Sequence, residues 1–134
     1  MPAGARARAS VLVLDDALFT RTTLAAQLRA RDLDVELAES VSAAETVLAK
    51  RVPEVAIVDI FLERGPSGLD FVRRLRADPA TQTMFIIAMS GHYVPDCLHY
   101  AQEVGCDRFL LKPYAVDLLI ETIDQFLAGR RVAS

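Results

Sequence analysis

The sequence predicts an α/β fold, a doubly wound parallel sheet of five strands with helices on both faces. Short runs that are apolar at consecutive positions, rather than alternate ones, have the pattern of strands covered on both sides. Each run is followed by a segment with apolar residues at helical spacing, so strand and helix alternate five times with short connections. The 134 residues, 52% hydrophobic and 25% charged, sit near the size of one ordinary domain with a continuous core.

The first strand is Val11–Leu14, and Ala17, Arg21, Leu24 and Leu28 mark the helix after it. Val35-Glu36-Leu37-Ala38 is less uniformly apolar and reads as an edge strand. Ser42-Ala43-Ala44-Glu45 has the form of a capping box opening a second helix, which carries Val47 and Leu48 and ends before Pro53. The third strand, Val55–Val58, leads to a helix that begins near Ser67, gathers Phe71, Val72 and Leu75, and stops at Asp78-Pro79. After the fourth strand, Phe85–Met89, a helix follows Pro95 and ends at Gly105, a residue suited to the position after a helix. The fifth strand is Phe109–Leu111, and the last helix, about Val116 to Leu127, buries Leu119, Ile123 and Phe126. Residues 1–9 are expected as a flexible segment, 10–129 as one domain, and 130–134 as a tail or the start of a linker at Arg130-Arg131.

Composition narrows the function classes. A net charge of −3 and a pI near 5.3 offer no basic field for a polyanion, which argues against direct nucleic-acid binding and against an anionic membrane surface. Arg6 and Arg8 precede the first apolar run as in a signal peptide, but Asp15 and Asp16 end that run after four residues. No stretch approaches the roughly 20 apolar residues of a membrane span. Cys97 and Cys106 lack CxxC spacing and read as buried thiols of a reducing compartment, with a disulfide between them left open. The expected location is the cytoplasm.

Right-handed crossovers leave few topologies for such a chain. The flavodoxin-like strand order 2-1-3-4-5 sets the ends of strands 1 and 3 side by side at the switch point, where ligands of these sheets bind. The residues that close the strands are polar: Asp15-Asp16 after the first, Asp59 after the third, Ser90 after the fourth and Lys112 after the fifth. Three converging carboxylates repel by about 4 kcal/mol per pair at 4 Å and an effective dielectric near 20, more than one lysine offsets. A hard divalent cation would offset it, and Mg²⁺ characteristically takes one or two carboxylates plus waters and a phosphate. Asp59 can then act as a nucleophile that forms an acyl phosphate, with Lys112 and the Ser90 hydroxyl meeting phosphoryl oxygens. Only two of the 15 basic residues are lysines, Lys50 and Lys112, so a lysine at 112 suits a point-charge role that arginine would not fill. Pro113 after it allows a cis peptide.

From Ser10 to Leu127 these residues resemble the receiver domains of two-component response regulators of the chemotaxis type. Asp15-Asp16 with Arg21 and Leu24 is similar to the family's acidic pair and first helix, Pro53-Glu54-Val-Ala-Ile-Val-Asp59 to its phosphoacceptor strand, and Gly105-Cys-Asp-Arg-Phe109-Leu-Leu-Lys112-Pro113 to its last strand. The resemblance implies a phosphohistidine donor on a sensor histidine kinase or phosphotransfer protein, and phosphorylation of Asp59. It implies Mg²⁺ held by Asp15, Asp16, Asp59 and the main-chain carbonyl of Phe61, and a switch in which Ser90 moves and Phe109 rotates inward. The surface of helix 4, strand 5 and helix 5 would then meet a downstream target or a second copy. Such a chain is a signalling switch rather than an enzyme, catalysing only its own phosphorylation and slow dephosphorylation. One segment departs from the family: between Asp59 and Gly68 the chain reads Ile-Phe-Leu-Glu-Arg-Gly-Pro-Ser, one residue longer and without the usual Met-Pro.

Blander readings stand beside these. The acidic pair could serve as a helix cap, Ser90-Gly91 as a turn, Phe109 as core, and Leu118 and Leu127 as core or as a dimer contact. No spacing among His92, His99, Cys97 and Cys106 matches a zinc site. An aspartyl phosphohydrolase would need a second aspartate two residues after the nucleophile, where this chain has Phe61. The alternative function is a pseudo-receiver that acts through phosphorylation-independent contacts.

Overall fold

The computed structural model describes residues 8–60, 62, 67–91, 95–113 and 115–133. The elements are β1 (Ser10–Leu14), α1 (Leu18–Arg29), β2 (Asp34–Ala38), α2 (Val41–Lys50), β3 (Val55–Asp59), α3 (Gly68–Ala77), β4 (Phe85–Ser90), α4 (Pro95–Val104), β5 (Arg108–Leu111) and α5 (Val116–Ala133). All strand pairs are parallel and the order is β2-β1-β3-β4-β5, the flavodoxin-like arrangement the sequence predicts.

The consecutive apolar runs have a direct cause. Strand side chains alternate between faces, and both faces are covered. Val11, Val13, Val35, Val55, Ile57, Phe85 and Ile87 share a core with Leu24, Leu28, Leu119 and Ile123 of α1 and α5. Leu12, Leu14, Ala38, Ala56, Val58 and Ile86 pack with Val41, Phe71, Val72, Leu75 and Val104 of α2, α3 and α4. Each fully buried Val, Leu or Ile contributes roughly 1.5–3 kcal/mol of transfer free energy. Every residue of β1, β3 and β4 is buried, whereas β2 and β5 are partly open. Edge strand β2 is protected in part by Arg29, whose Nη2 donates to the Val35 carbonyl at 2.9 Å.

Two helix ends differ from the sequence reading. Helix α2 is capped by Ser40, whose Oγ accepts from the Ala43 N–H at 3.1 Å, so Ser42 lies inside the helix and opens no capping box with Glu45. The core decides between the two serines, because Val41 is buried against it and belongs to the first turn. Ser67 caps α3 as predicted, accepting from the Asp70 N–H at 3.2 Å. Helix α5 continues to Ala133, beyond Leu127, the last core residue among its described side chains and the end of the readable apolar period. The chain turns after α1 through Asp32, in the left-handed region at φ 61°, which an aspartate tolerates better than most residues.

The end of α4 is held from outside. Gly105 adopts φ +105° there, a conformation that favours glycine after a helix. Arg76 of α3 donates to the Gly105 carbonyl at 2.8 Å, to the Gln82 and Met84 carbonyls at 2.8 and 2.7 Å, and to Asp107 Oδ2 at 2.8 Å. Asp107 Oδ2 also accepts from the Ile86 N–H at 2.8 Å, which joins α3, α4 and the starts of β4 and β5 in one network. Cys106 is half-buried and a free thiol, and the Cys97 side chain lies outside those described; burial pushes the Cys106 pKa up to about 12, with Arg76 opposing. Among the described residues no helix is long and apolar enough to cross a membrane.

Candidate functional site

The parallel register brings the strand ends to one edge of the sheet. Leu14 pairs with Val58 and Asp59 with Met89, so Asp15 and Asp59 emerge beside each other and Ser90 follows on the next strand. Ser90 in turn pairs with Leu111, the residue before Lys112, and its carbonyl accepts from the Lys112 N–H at 2.7 Å. One oxygen each of Asp15, Asp16 and Asp59 lies within 4.8 Å of the others. Asp15 is fully buried, Asp59 is 7% exposed, and Asp16 is half-buried.

Lys112 sits among them. Its Nζ donates to Asp15 Oδ2 at 2.7 Å and to Asp59 Oδ2 at 3.2 Å, across 97 and 53 residues of sequence. Burial opposes the lysine's charge, but the hydrogen bond to Asp15 and the charges of Asp59 and Asp15 outweigh it and hold the pKa above the ordinary 10.5. Three carboxylates and one ammonium still leave an excess of negative charge. Their hard oxygen donors fit a small divalent cation such as Mg²⁺.

Asp15 is fixed at every polar atom. Its N–H donates to the Ala38 carbonyl at 3.1 Å, its Oδ1 accepts from the Ala17 N–H at 2.9 Å, and its carbonyl accepts from Arg21 Nη1 at 2.8 Å. The carboxylate therefore shapes the turn into α1 without capping it, since the N-cap residue is Ala17, and its other oxygen belongs to the acidic cleft. Asp59 rests on α3: a Cβ on Gly68 would strike the Asp59 carbonyl oxygen and lie 2.7 Å from Ile60 Cα.

Ser90 is fully buried. Phe109 is half-buried and packs on a small cluster of Ile60, Ala88 and Ala101 between the sheet and α4. Phe61 and His92 lie outside the described residues, and the Lys112-Pro113 peptide is cis. His99 pairs with Glu103 at 3.5 Å; among the described residues the acidic trio alone groups three metal-capable side chains. Leu118 is exposed and Leu127 belongs to the core.

Residues 11–124 match the response regulator receiver domain family. The chain belongs to that family. The receiver is 28% identical over 118 residues to the phosphate regulon transcriptional regulatory protein PhoB of Pseudomonas aeruginosa, covering 88% of this chain and 51% of the relative. It is 32% identical over 104 residues to the photosynthetic apparatus regulatory protein RegA of Rhodobacter capsulatus, covering 78% of this chain and 55% of the relative. The receiver thus spans about half the length of these curated relatives. Among solved structures, a response regulator receiver protein from Pseudomonas putida matches with a TM-score of 0.83 at 30% identity, over 90% of this chain and 99% of that one. Chemotaxis protein CheY4 of Vibrio cholerae shares the fold, with a TM-score of 0.82 at 24% identity over 89% and 98% of the two chains.

Two residues of the receiver's cleft escape a reading of strand ends. Arg21 counts there as one more position on a helical face, and only its charge in an otherwise apolar stripe hints at another use. Gly68 gives no sign in sequence that a backbone passes within contact distance of it.

Proposed function

We propose that this receiver accepts a phosphoryl group on Asp59 from a phosphohistidine of a sensor histidine kinase or phosphotransfer protein, and relays the signal by changing its interaction surface. The convergence of Asp15, Asp16 and Asp59 around the Lys112 ammonium carries the proposal. Asp15, Asp16 and Asp59, with the Phe61 carbonyl, would hold Mg²⁺, which when bound supplies positive charge against the carboxylates and the phosphoryl oxygens. A carboxylate oxygen of Asp59 attacks phosphorus, the P–N bond to the donor imidazole breaks, and the imidazole nitrogen keeps the electron pair. Lys112 exchanges a carboxylate contact for a phosphoryl oxygen, and the Ser90 hydroxyl donates to another.

Ser90 and Phe109 are the proposed switch, since both adjoin the path from the cleft to α4. Leu98, Tyr100, Leu111 and Leu118 are exposed on α4, β5 and α5, apolar contacts for a downstream target or a second copy. Leu18 and Phe19, 65% and 81% exposed, follow the acidic pair after Ala17 and suit contact with the donor protein. On this reading the chain is a cytoplasmic switch, not an enzyme with an external substrate, and its net charge of −3 supports protein partners over nucleic acid or membrane.

Incubation with a small phosphodonor and Mg²⁺, followed by intact mass measurement, tests the proposal. The expected product is an acid-stable, alkali-labile adduct of one phosphoryl group that Asp59→Asn abolishes. Persistence of the adduct in that variant would move the acceptor elsewhere. Absence of any adduct with all donors would favour phosphorylation-independent contacts.

A further inference from the structure

We infer that Arg21 is a positioning residue for the acidic cleft, clamping the bend that aims Asp16. The inference rests on the proposed cation site and concerns what holds its ligands in place. Between the end of β1 at Leu14 and the start of α1 at Leu18, the chain bends through Asp15, Asp16 and Ala17. The N-cap residue of α1 is Ala17, which has no side-chain oxygen to cap the helix. The bend must be held by other groups, because backbone N–H and C=O groups near a buried carboxylate need partners.

Arg21 holds it from one helical turn away. Its backbone N–H donates to the Ala17 carbonyl at 2.9 Å and its Nη1 donates to the Asp15 carbonyl at 2.8 Å, so one half-buried residue spans both ends of the bend. The Asp15 carbonyl belongs to the peptide plane that joins Asp15 to Asp16. Rotation of that plane swings the Asp16 side chain relative to Asp15, whose own side chain is pinned by Ala17 and Lys112. The guanidinium therefore restrains that plane directly, at its carbonyl oxygen.

Charge and position make opposite predictions. A guanidinium beside a cation site repels the cation, so if Arg21 acted by charge alone its removal would tighten Mg²⁺ binding. If it positions Asp16, its removal weakens binding.

Calorimetric Mg²⁺ titration of the full chain, with circular dichroism to confirm folding, separates the two. Arg21→Gln should raise the Kd about tenfold. Arg21→Lys keeps a charge and a single donor, and should raise the Kd by a smaller factor, about threefold. Labelling of Asp59 in Arg21→Gln should return to the wild-type rate at saturating Mg²⁺, since the residue does not touch the phosphoryl group. If either folded variant binds Mg²⁺ as tightly as wild type, or more tightly, the clamp is wrong. A labelling defect that saturating Mg²⁺ does not repair would overturn it too. Wild-type protein indifferent to Mg²⁺ would instead bring down the cation site itself, and this inference with it.

Discussion

Gly68→Ala places one methyl group where α3 meets the residue proposed to carry the phosphoryl group. The added Cβ would strike the Asp59 carbonyl oxygen and come within 2.7 Å of Ile60 Cα and 3.0 Å of the Asp59 carbonyl carbon. All three are backbone atoms and cannot rotate aside. The Ile60 N–H is tied to the Met89 carbonyl at 3.0 Å, so the first turn of α3 must move outward, against the packing of Phe71, Val72 and Leu75. Such overpacking costs about 1–3 kcal/mol. A chain of 134 residues loses about 4 °C of Tm per kcal/mol at about 2.1 cal/mol/K of unfolding entropy per residue. The expected loss is therefore about 4–11 °C in a calorimetric melt. Gly91→Ala is the matched control, because among the described residues a Cβ there meets nothing within 4 Å; its Tm should stay within about 2 °C of wild type, as for an ordinary surface change. Equal melting of the two variants would refute the claim that α3 abuts the Asp59 backbone.

Lys112 supplies a pH signature, which a difference between wild type and Lys112→Met in metal-free buffer isolates. Its folded pKa lies above 10.5, so its stabilisation is complete below the unfolded-state value and fades as pH rises through the folded one. The gap between the two urea midpoints should be constant from pH 7 to about 10 and close above that; a gap that does not narrow at higher pH would contradict the ion pairs. Arg76→Met removes four donor contacts that join α3, α4 and β5. It should lower unfolding free energy by about 2–4 kcal/mol in urea titration and speed amide exchange around residues 82–84 and 105–107. A loss under about 0.5 kcal/mol would mark the network as ornamental.

The fold is legible in the sequence because both sheet faces are covered, which makes each inner strand a continuous apolar run. Edge strand β2 announces itself by Glu36, a charge in the middle of its run, whereas the inner strands carry polar residues only at their ends. The handedness rule narrows the order of the strands to a few, the observed one among them, and the acidic cleft follows from that order. Legibility fails where a contact joins residues distant in sequence. Ser40 and Ser42 both suit a helix start, and only the burial of Val41 chooses between them. Nothing near Lys112 says that its ammonium rests on Asp15 and Asp59. Arg21 and Gly68 act on backbone atoms of other residues, and a backbone atom leaves no trace in the sequence at the place where it is touched.

Titration of metal-free protein with Mg²⁺ by calorimetry tests the cation site most directly, alongside Asp16→Asn and Asp59→Asn. A single site in the wild type, weakened in both variants while their folds persist, is the predicted result. A wild type that takes up no magnesium, or binds it undiminished without either carboxylate, would contradict the account.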